Sequence, residues 1–345
     1  MPVLLIGLRA MRLFGRKSEP VDPAVAISGF WAWWAEARPR VEAADDKAEL
    51  MAPAVAALDP GLIWEIGNGR GSLFSLVVSS AADPELRSLA HRWAKAAPEP
   101  DAMWEFHPSR QAASIPADVR FPAGPHEFDM ARFVVALRVP PGSPRVDISA
   151  YHPIFEDIDD DTRMETAMLA LDRLLGEDEV ARWVGDITAA QIEPIDALPA
   201  IHLPAVVADV AEGFQDEQWA LLEGTTARGK KLTATARFPL RPVDYPLYDH
   251  HIAITLPYRK SDGDGLPAGD SLDALNAFHQ TLTAALGPAV VAAHVSSEGV
   301  RTFHVYADPT GATERAIRDL VWKEGRPAIV ASMDPEWSAV AHFLT

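Results

Sequence analysis

Four polar side chains that could bind a ligand lie close together near the C-terminus: His294, Arg301, His304 and Tyr306. Imidazole, guanidinium and phenol groups can hold an anion or exchange protons. Glu298-Gly299 lies between two runs rich in β-branched and aromatic residues, a pattern that predicts a β-hairpin. The spacing therefore predicts that one hairpin carries all four side chains.

Two more residues belong to this predicted binding site. Asp334 and Trp337 follow the last predicted strand of the chain. Because alternate residues of a strand share a face, Thr302, His304 and Tyr306 are expected to lie together. If helices cover only one side of the sheet, this face is open to a ligand. Cross-strand structural pairing is the alternative interpretation.

A second hypothesis assigns catalysis to histidines and a carboxylate. His250, His294, His304 and Asp334 would then serve a metal-dependent or His/carboxylate hydrolase, which requires them to converge on one pocket. His250 and His251 are adjacent, so on a strand they would point to opposite faces and not chelate one ion together. No recognised catalytic motif supports this hypothesis, and the sequence assigns no catalytic residue, metal or cofactor.

An acidic run precedes a predicted amphipathic helix in the middle of the chain. It contains five carboxylates: Glu156, Asp157, Asp159, Asp160 and Asp161. The run lacks the spacing and the central glycine of a calcium-binding EF-hand loop. We expect a solvated loop in which Asp161 or Thr162 caps the following helix.

The negative charge is concentrated around this run. Of the net charge of −18, most comes from Phe155 to Glu217, which holds 17 acidic residues against Arg163, Arg173 and Arg182. Such a surface can attract a basic protein, conceivably a nuclease or another enzyme of nucleic acids. A solvated face that keeps the protein soluble is the alternative. Direct nucleic-acid binding is not expected, because no long basic run accompanies the negative charge.

The elements that must position these residues alternate between strands and helices. The 345 residues exceed the usual size of one domain. We predict an α+β protein of two or more ferredoxin-like modules, with mainly antiparallel sheets and helices packed on one face. The predicted parts are a tail at 1–22, an N-terminal module at 23–212 with a possible internal boundary near 112–130, and a C-terminal module at 213–345.

Composition excludes several classes of protein. Hydrophobic residues make up 48% and charged residues 23%, which is ordinary for a folded chain. Cysteine is absent, which excludes disulfides, thiolate nucleophiles and cysteine-ligated metals. The apolar run near the N-terminus is too short to cross a membrane. A cytoplasmic protein without a membrane segment is expected.

From about Gln218 onward, the chain resembles a bacterial domain-of-unknown-function family, number 695. The resemblance rests on Trp219, the block Ile252–Tyr258 before Gly265-Leu266-Pro267, the strand Gly299–Tyr306 and the ending Asp334-Pro335-Glu336-Trp337 before Phe343-Leu344. That ending also looks like the ribonuclease E inhibitor family, which are small acidic proteins that bind a nuclease.

The first half resembles a module that often precedes this domain. The residues that carry the resemblance are Phe30–Trp34, Ala97-Pro98, Trp104-Glu105-Phe106 and Leu171–Glu177. These resemblances imply no catalytic residues. Together with the acidic surface, they favour a non-enzymatic regulatory or protein-binding role, and whether the protein is also an enzyme stays open.

Overall fold

The chain divides into two compact units, Met1–Gly213 and Phe214–Thr345. The computed structural model describes residues 22–214 and 218–344, together with the backbone of Leu5–Ile6. The rest of the predicted N-terminal tail lies outside the described residues. No helix within the described ranges has both the length and the apolar character needed to cross a membrane. Helices and mostly antiparallel sheets make the protein α+β.

The first half of the N-terminal unit is a four-stranded sheet with three helices. Its elements are β1 (Leu5–Ile6), α1 (Pro23–Ala43), α2 (Ala48–Ala56), β2 (Ile63–Asn68), β3 (Phe74–Ser79), α3 (Pro84–Lys95) and β4 (Trp104–His107). The strand order is β1-β2-β3-β4, and only the β3–β4 pair is parallel. Asp22 and Asp83 cap α1 and α3, each followed by proline at the first helical position.

Tryptophan side chains fill the core of this half. Trp93 and Trp104 have no exposed surface, and Trp34 contacts the edge of Trp104 with ring centroids 4.9 Å apart. Phe30 and Trp31 pack against Trp93 from α1. The tryptophan-rich start of α1 therefore builds the core.

The second half of the N-terminal unit holds a small hairpin and a second four-stranded sheet. Its elements are β5 (Arg120–Ala123), β6 (His126–Asp129), β7 (Val134–Arg138), β8 (Val146–Tyr151), α4 (Asp160–Leu175), α5 (Glu177–Trp183), β9 (Val184–Ala189), β10 (Leu198–Pro199) and α6 (Leu203–Glu212). The sheet order is β10-β7-β8-β9. Within 112–130, where the sequence predicted an internal boundary, β5 and β6 pair in antiparallel register.

The two sheets of this unit share one pattern of connection. In each, an antiparallel hairpin is followed by a helical crossover to a parallel strand: β2-β3-α3-β4 in the first and β7-β8-α4-α5-β9 in the second. Parallel neighbouring strands require such a crossover, because a tight turn can join only antiparallel strands. Each sheet thus has the order β-β-α-β. The predicted ferredoxin-like arrangement is not confirmed for this unit.

The C-terminal unit is built on one six-stranded antiparallel sheet. Its elements are β11 (Gln218–Thr225), β12 (Lys231–Phe238), β13 (His250–Pro257), α7 (Asp270–Ala285), β14 (Ala289–Ser297), β15 (Val300–Ala307), α8 (Thr313–Arg318) and β16 (Ala328–Met333). The sheet order is β11-β12-β14-β15-β13-β16. From β13 to β16 the elements run β-α-β-β-α-β, the order of a ferredoxin-like arrangement.

Each face of this sheet carries an apolar core. On the helix face, Ile254, Phe303 and Val305 form a core with Leu275 and Phe278 of α7. On the opposite side, which we call the far face, a second core joins sheet residues such as Ala236, Ala292 and Tyr306 to Trp337, Val340 and Phe343. Those last residues belong to a 3-10 helical segment, Ser338–Phe343, that follows β16.

Candidate functional site

The hairpin β14–β15 carries four of the six residues predicted to bind a ligand. Its register pairs His294 with Phe303, a residue of the helix-face core. Because alternate residues of a strand share a face, His294 and Arg301 lie on the helix face, whereas His304 and Tyr306 lie on the far face. The predicted single site is therefore divided between two sides of one sheet.

Three of the predicted residues meet on the far face. The Tyr306 hydroxyl donates a hydrogen bond of 2.7 Å to Asp334, and the Tyr306 ring stacks on Trp337 with centroids 3.9 Å apart. Burial raises the pKa of Asp334, but hydrogen bonds from Ala339, Tyr306 and Ser338 outweigh it and keep that pKa below its ordinary value. Burial and the Asp334 carboxylate raise the pKa of Tyr306.

This arrangement corrects the prediction of an open binding face. Tyr306 is 0% exposed and Trp337 1% exposed, so no ligand can reach them in this conformation. The Trp337 indole donates to the Tyr248 carbonyl at 2.9 Å, and Asp334 accepts from the backbone of Ser338 and Ala339. The cluster fastens the C-terminal segment to the sheet.

Two histidines form a pair beside this cluster. Nε2 of His251 and Nδ1 of His304 are 3.0 Å apart, and the rings stack with centroids 5.2 Å apart. Burial, then His251 and His342, lower the pKa of His304 to about 4. His304 is therefore neutral near pH 7, and the contact is a hydrogen bond between two imidazoles.

The structure does not bring the four residues of the hydrolase hypothesis together. His250 lies on the helix face, where its Nε2 is 3.8 Å from a carboxylate oxygen of Glu314 in α8. His294 also faces the helices, whereas His304 and Asp334 lie on the far face. Over residues 22–214 and 218–344, no group of three or more histidine and acidic side chains is placed to hold a metal ion.

Arg301 is buried on the helix face, and we use the name Arg301 recess for this residue with its neighbours Tyr258, His279, His294 and Ser296. Arg301 is 5% exposed, and its Nε donates a hydrogen bond of 2.8 Å to the Ser296 hydroxyl. Among the described residues, that is the one hydrogen bond of its guanidinium, and none of their carboxylates forms an ion pair with it. Burial lowers the pKa of Arg301, opposed by the neighbouring Tyr258.

Two histidines adjoin this guanidinium. His279 of α7 meets His294 edge to face, with ring centroids 5.3 Å apart, and both rings contact Phe303. Burial, then Arg301 and His279, lower the pKa of His294 to about 3. Burial, then Arg301 and Arg237, also lower the pKa of His279. Nδ1 of His294 is buried and has no hydrogen-bond partner among the described residues.

The acidic run lies on the surface of the N-terminal unit. All five of its carboxylate residues are exposed: Glu156, Asp157, Asp159, Asp160 and Asp161. Asp159, and not Asp161 or Thr162, caps α4 by accepting from the Thr162 amide at 2.9 Å. The expectation about the cap was wrong because the helix begins at Asp160, before the position where a cap at Asp161 or Thr162 would start it.

A second loop adds apolar surface to this acidic region. Burial, then Glu156 and Glu193, raise the pKa of Tyr151, opposed by Arg132, so both carboxylates lie around one phenol. Glu193 belongs to the loop at 190–197, in which Ile192 is 80% exposed and Ile195 107% exposed. Isoleucine is seldom so exposed, and apolar side chains beside carboxylates are typical of an interaction surface.

A buried ionic network in the N-terminal unit was not predicted. Arg110 contacts Asp172 at 3.0 Å and Glu65 at 3.3 Å, and Arg173 contacts the same oxygen of Glu65 at 2.7 Å. Glu177 accepts from Ser79 and from the Arg110 amide. The available signal was charge inside the amphipathic helix α4, where Asp172-Arg173 follows a buried leucine.

A cleft opens next to this network. Its volume is about 670 Å³, and residues of β2, β3 and the loop at 111–121 line it. Glu65 and Arg173 reach its wall, as do Phe74 and Phe121. The size suits a small organic ligand. Its charged residues are of both signs, and Glu65 and Arg173 among them pair with each other, so the lining favours no particular ligand class.

Comparison with known proteins was informative for the C-terminal unit alone. Residues 239–345 match a family described as "Family of unknown function (DUF695)". The resemblance seen in the sequence is thereby confirmed for this region. No curated protein and no solved structure gives a significant match.

The DUF695 match covers every element from β13 to β16 and the far-face segment. It therefore includes Arg301, His279 and His294, as well as the Tyr306–Asp334–Trp337 cluster. The family description names no activity, and a likeness to nuclease inhibitors is not shown. A functional argument must come from the residues themselves.

Proposed function

We propose that the N-terminal unit binds a basic segment of a partner protein through an acidic surface made of Glu156–Asp161 and the loop at 190–197. The observation that carries the proposal is the exposure of Ile192 and Ile195 next to this concentration of carboxylates. Carboxylates supply attraction to a basic partner, and the isoleucines supply apolar area to bury. The role is that of a regulatory or adaptor protein in the cytoplasm.

Two carboxylates of this surface, Asp157 and Asp161, are available to a partner. Asp160 forms an ion pair with Arg163 at 2.5 Å, and Asp159 is occupied by its helix cap. Asp157 and Asp161 are exposed and hold no ion pair with a described residue. A lysine- or arginine-rich segment, such as one from a nuclease or another nucleic-acid enzyme, is the matching chemistry.

The test is capture of partners from cell lysate by the full chain at low and high salt, followed by titration of the retained protein. We compare a double charge reversal, Asp157→Lys with Asp161→Lys, with a control reversal of equal charge at exposed residues of the other unit, Asp264→Lys with Asp319→Lys. The proposal expects affinity to fall at least tenfold in the first and to remain in the second. It also expects affinity to fall with ionic strength.

The apolar part is tested separately with Ile192→Ser and Ile195→Ser. These changes should speed dissociation without altering the dependence on salt, because they remove contact area and no charge. Equal loss in both charge-reversal proteins would show that only net charge matters, and affinity indifferent to salt would exclude the acidic surface.

A further inference from the structure

The recess around Arg301 differs from the rest of this acidic chain because charges of one sign gather there. Arg301 is 5% exposed, and its described surroundings are His279, His294, Tyr258 and the Ser296 hydroxyl. No carboxylate appears among the described groups that influence these three cationic or potentially cationic side chains. A protein of net charge −18 has many acids with which to pair an arginine, and here none is used.

An unpaired buried guanidinium is energetically unfavourable. Removing an ion from water costs several kcal/mol unless an opposite charge or hydrogen bonds replace the water. Arg301 uses Nε for Ser296, which leaves both Nη groups without a described partner. The two Nη groups are absent from the fully buried unsatisfied atoms, so they keep contact with solvent. Donors held in this way are prepared for an incoming acceptor.

The histidines make the recess more favourable to an anion. His294 and His279 are held neutral by burial and by the positive charge of Arg301. Nδ1 of His294 is fully buried without a partner in the described chain, whereas Nε2 is not among the fully buried unpaired atoms and is the nitrogen that a ligand can reach. The aromatic rings of Phe303 and Trp219 border the histidines, with Trp219 5.7 Å from His279 between ring centroids.

We propose that the Arg301 recess binds the carboxylate group of a small organic acid, with the guanidinium as the fork and His294 as the second polar contact. A guanidinium matches a carboxylate in plane and in spacing. The charge of Arg301 balances the single negative charge of a carboxylate, whereas Arg237, the second arginine that influences His279, donates to the Val291 carbonyl. The bordering aromatic rings would pack against an apolar part of the acid.

The experiment is titration of the full-length protein with acetate, benzoate and inorganic phosphate, followed by calorimetry and by NMR of the histidine ring protons. The His279 and His294 signals are assigned from His279→Gln and His294→Gln. We expect saturable binding of one carboxylate per chain at micromolar to millimolar concentration, with benzoate tighter than acetate. We also expect the His294 signal to titrate at higher pH when the site is filled.

The decisive variant is Arg301→Met, which keeps the length of the side chain and removes the fork. It should weaken carboxylate binding at least tenfold, whereas Arg228→Met, at an exposed arginine in the turn between β11 and β12, should leave it unchanged. If Arg301→Met does not fold, the histidine shifts of the native protein still decide the question.

Three results would overturn the proposal. They are carboxylate binding that survives Arg301→Met, histidine signals that ignore every carboxylate at millimolar concentration, and phosphate bound more tightly than both carboxylates. The last result would assign the recess to phosphate-bearing ligands instead.

Discussion

The buried arginines of the two units have different partners. In the N-terminal unit, Arg110 lies between Glu65 and Asp172 and forms an ion pair with each of these carboxylates. In the DUF695 region, Arg301 is buried to a similar degree with a serine hydroxyl as its described partner. The first arrangement resembles a structural ion network. The second leaves hydrogen-bonding capacity that the described protein does not use, which is a property of binding sites.

The largest expected effect comes from breaking the paired arginine. Arg110→Met should destabilise the N-terminal unit by about 3–5 kcal/mol, because Asp172 would remain buried without its ion-pair partner and Glu65 would keep only Arg173. Hydrogen exchange of the full chain, read from peptides within 22–213, measures this unit separately from the other. Arg138→Met is the control, since Arg138 pairs with Asp147 at a largely exposed position and should change stability by less than about 1 kcal/mol.

The next largest effect is an opposite response of two buried groups to pH. Burial and Glu177 raise the pKa of Asp172 to about 7, above its ordinary 3.8. The contribution of Asp172 to the stability of the unit is therefore complete below about pH 4 and is lost as pH rises to about 7. The pKa of His294 is lowered from 6.5 to about 3, so its contribution is complete above 6.5 and is lost as pH falls toward 3.

Two variants isolate these responses. Compared with Asp172→Asn, the native N-terminal unit should gain stability as pH falls from 7 to 4. Compared with His294→Gln, the native C-terminal unit should lose stability as pH falls from 6.5 to 4, in a buffer without carboxylate. Hydrogen exchange at each pH, corrected for intrinsic exchange rates, gives both differences. The same sign in both units would contradict this assignment.

A smaller effect tests the role of the acidic run in capping α4, separately from its proposed role in binding. Asp159→Ala should destabilise the start of α4, because Asp159 accepts from the Thr162 amide at the start of the helix. Asp161→Ala also removes one negative charge but leaves the cap in place, so it should have little effect. Local exchange of the α4 amides distinguishes them. Equal effects would mean that charge, and not capping, determines the stability of this helix end.

The smallest expected effect on stability belongs to Arg301→Met in ligand-free buffer. Replacing an unpaired buried charge with an apolar side chain of similar length should change stability by less than about 1 kcal/mol, or increase it. Denaturant unfolding of the C-terminal unit, followed by exchange of its peptides, provides the measurement. A loss as large as that for Arg110→Met would remove the contrast and indicate that Arg301 is structural.

The sequence predicted the α+β class and the strands of the C-terminal unit, because hydrophobic alternation and turn residues are local signals. It also identified His294, Arg301, His304 and Tyr306 as neighbours. Which face each occupies relative to α7 and to the C-terminal segment was not predictable in the same way. That depends on long-range packing, such as Trp337 folding back onto Tyr306.

The ionic network was missed for a related reason. Arg110 is separated from Glu65 and Asp172 by 45 and 62 positions in the chain. No local pattern announces such a pairing, because each residue alone looks like an ordinary surface charge. The contact of His279 with His294 likewise depends on how α7 packs on the sheet.

The far-face cluster also has a consequence for how the chain is made. The core around Tyr306 requires Trp337, Val340 and Phe343, so it cannot close until these residues have emerged from the ribosome. Chains are synthesised from the N-terminus, and units that are complete early can fold first. The N-terminal unit can therefore fold during translation, whereas the six-stranded sheet of the C-terminal unit keeps its far face uncovered until the last residues of this core are made.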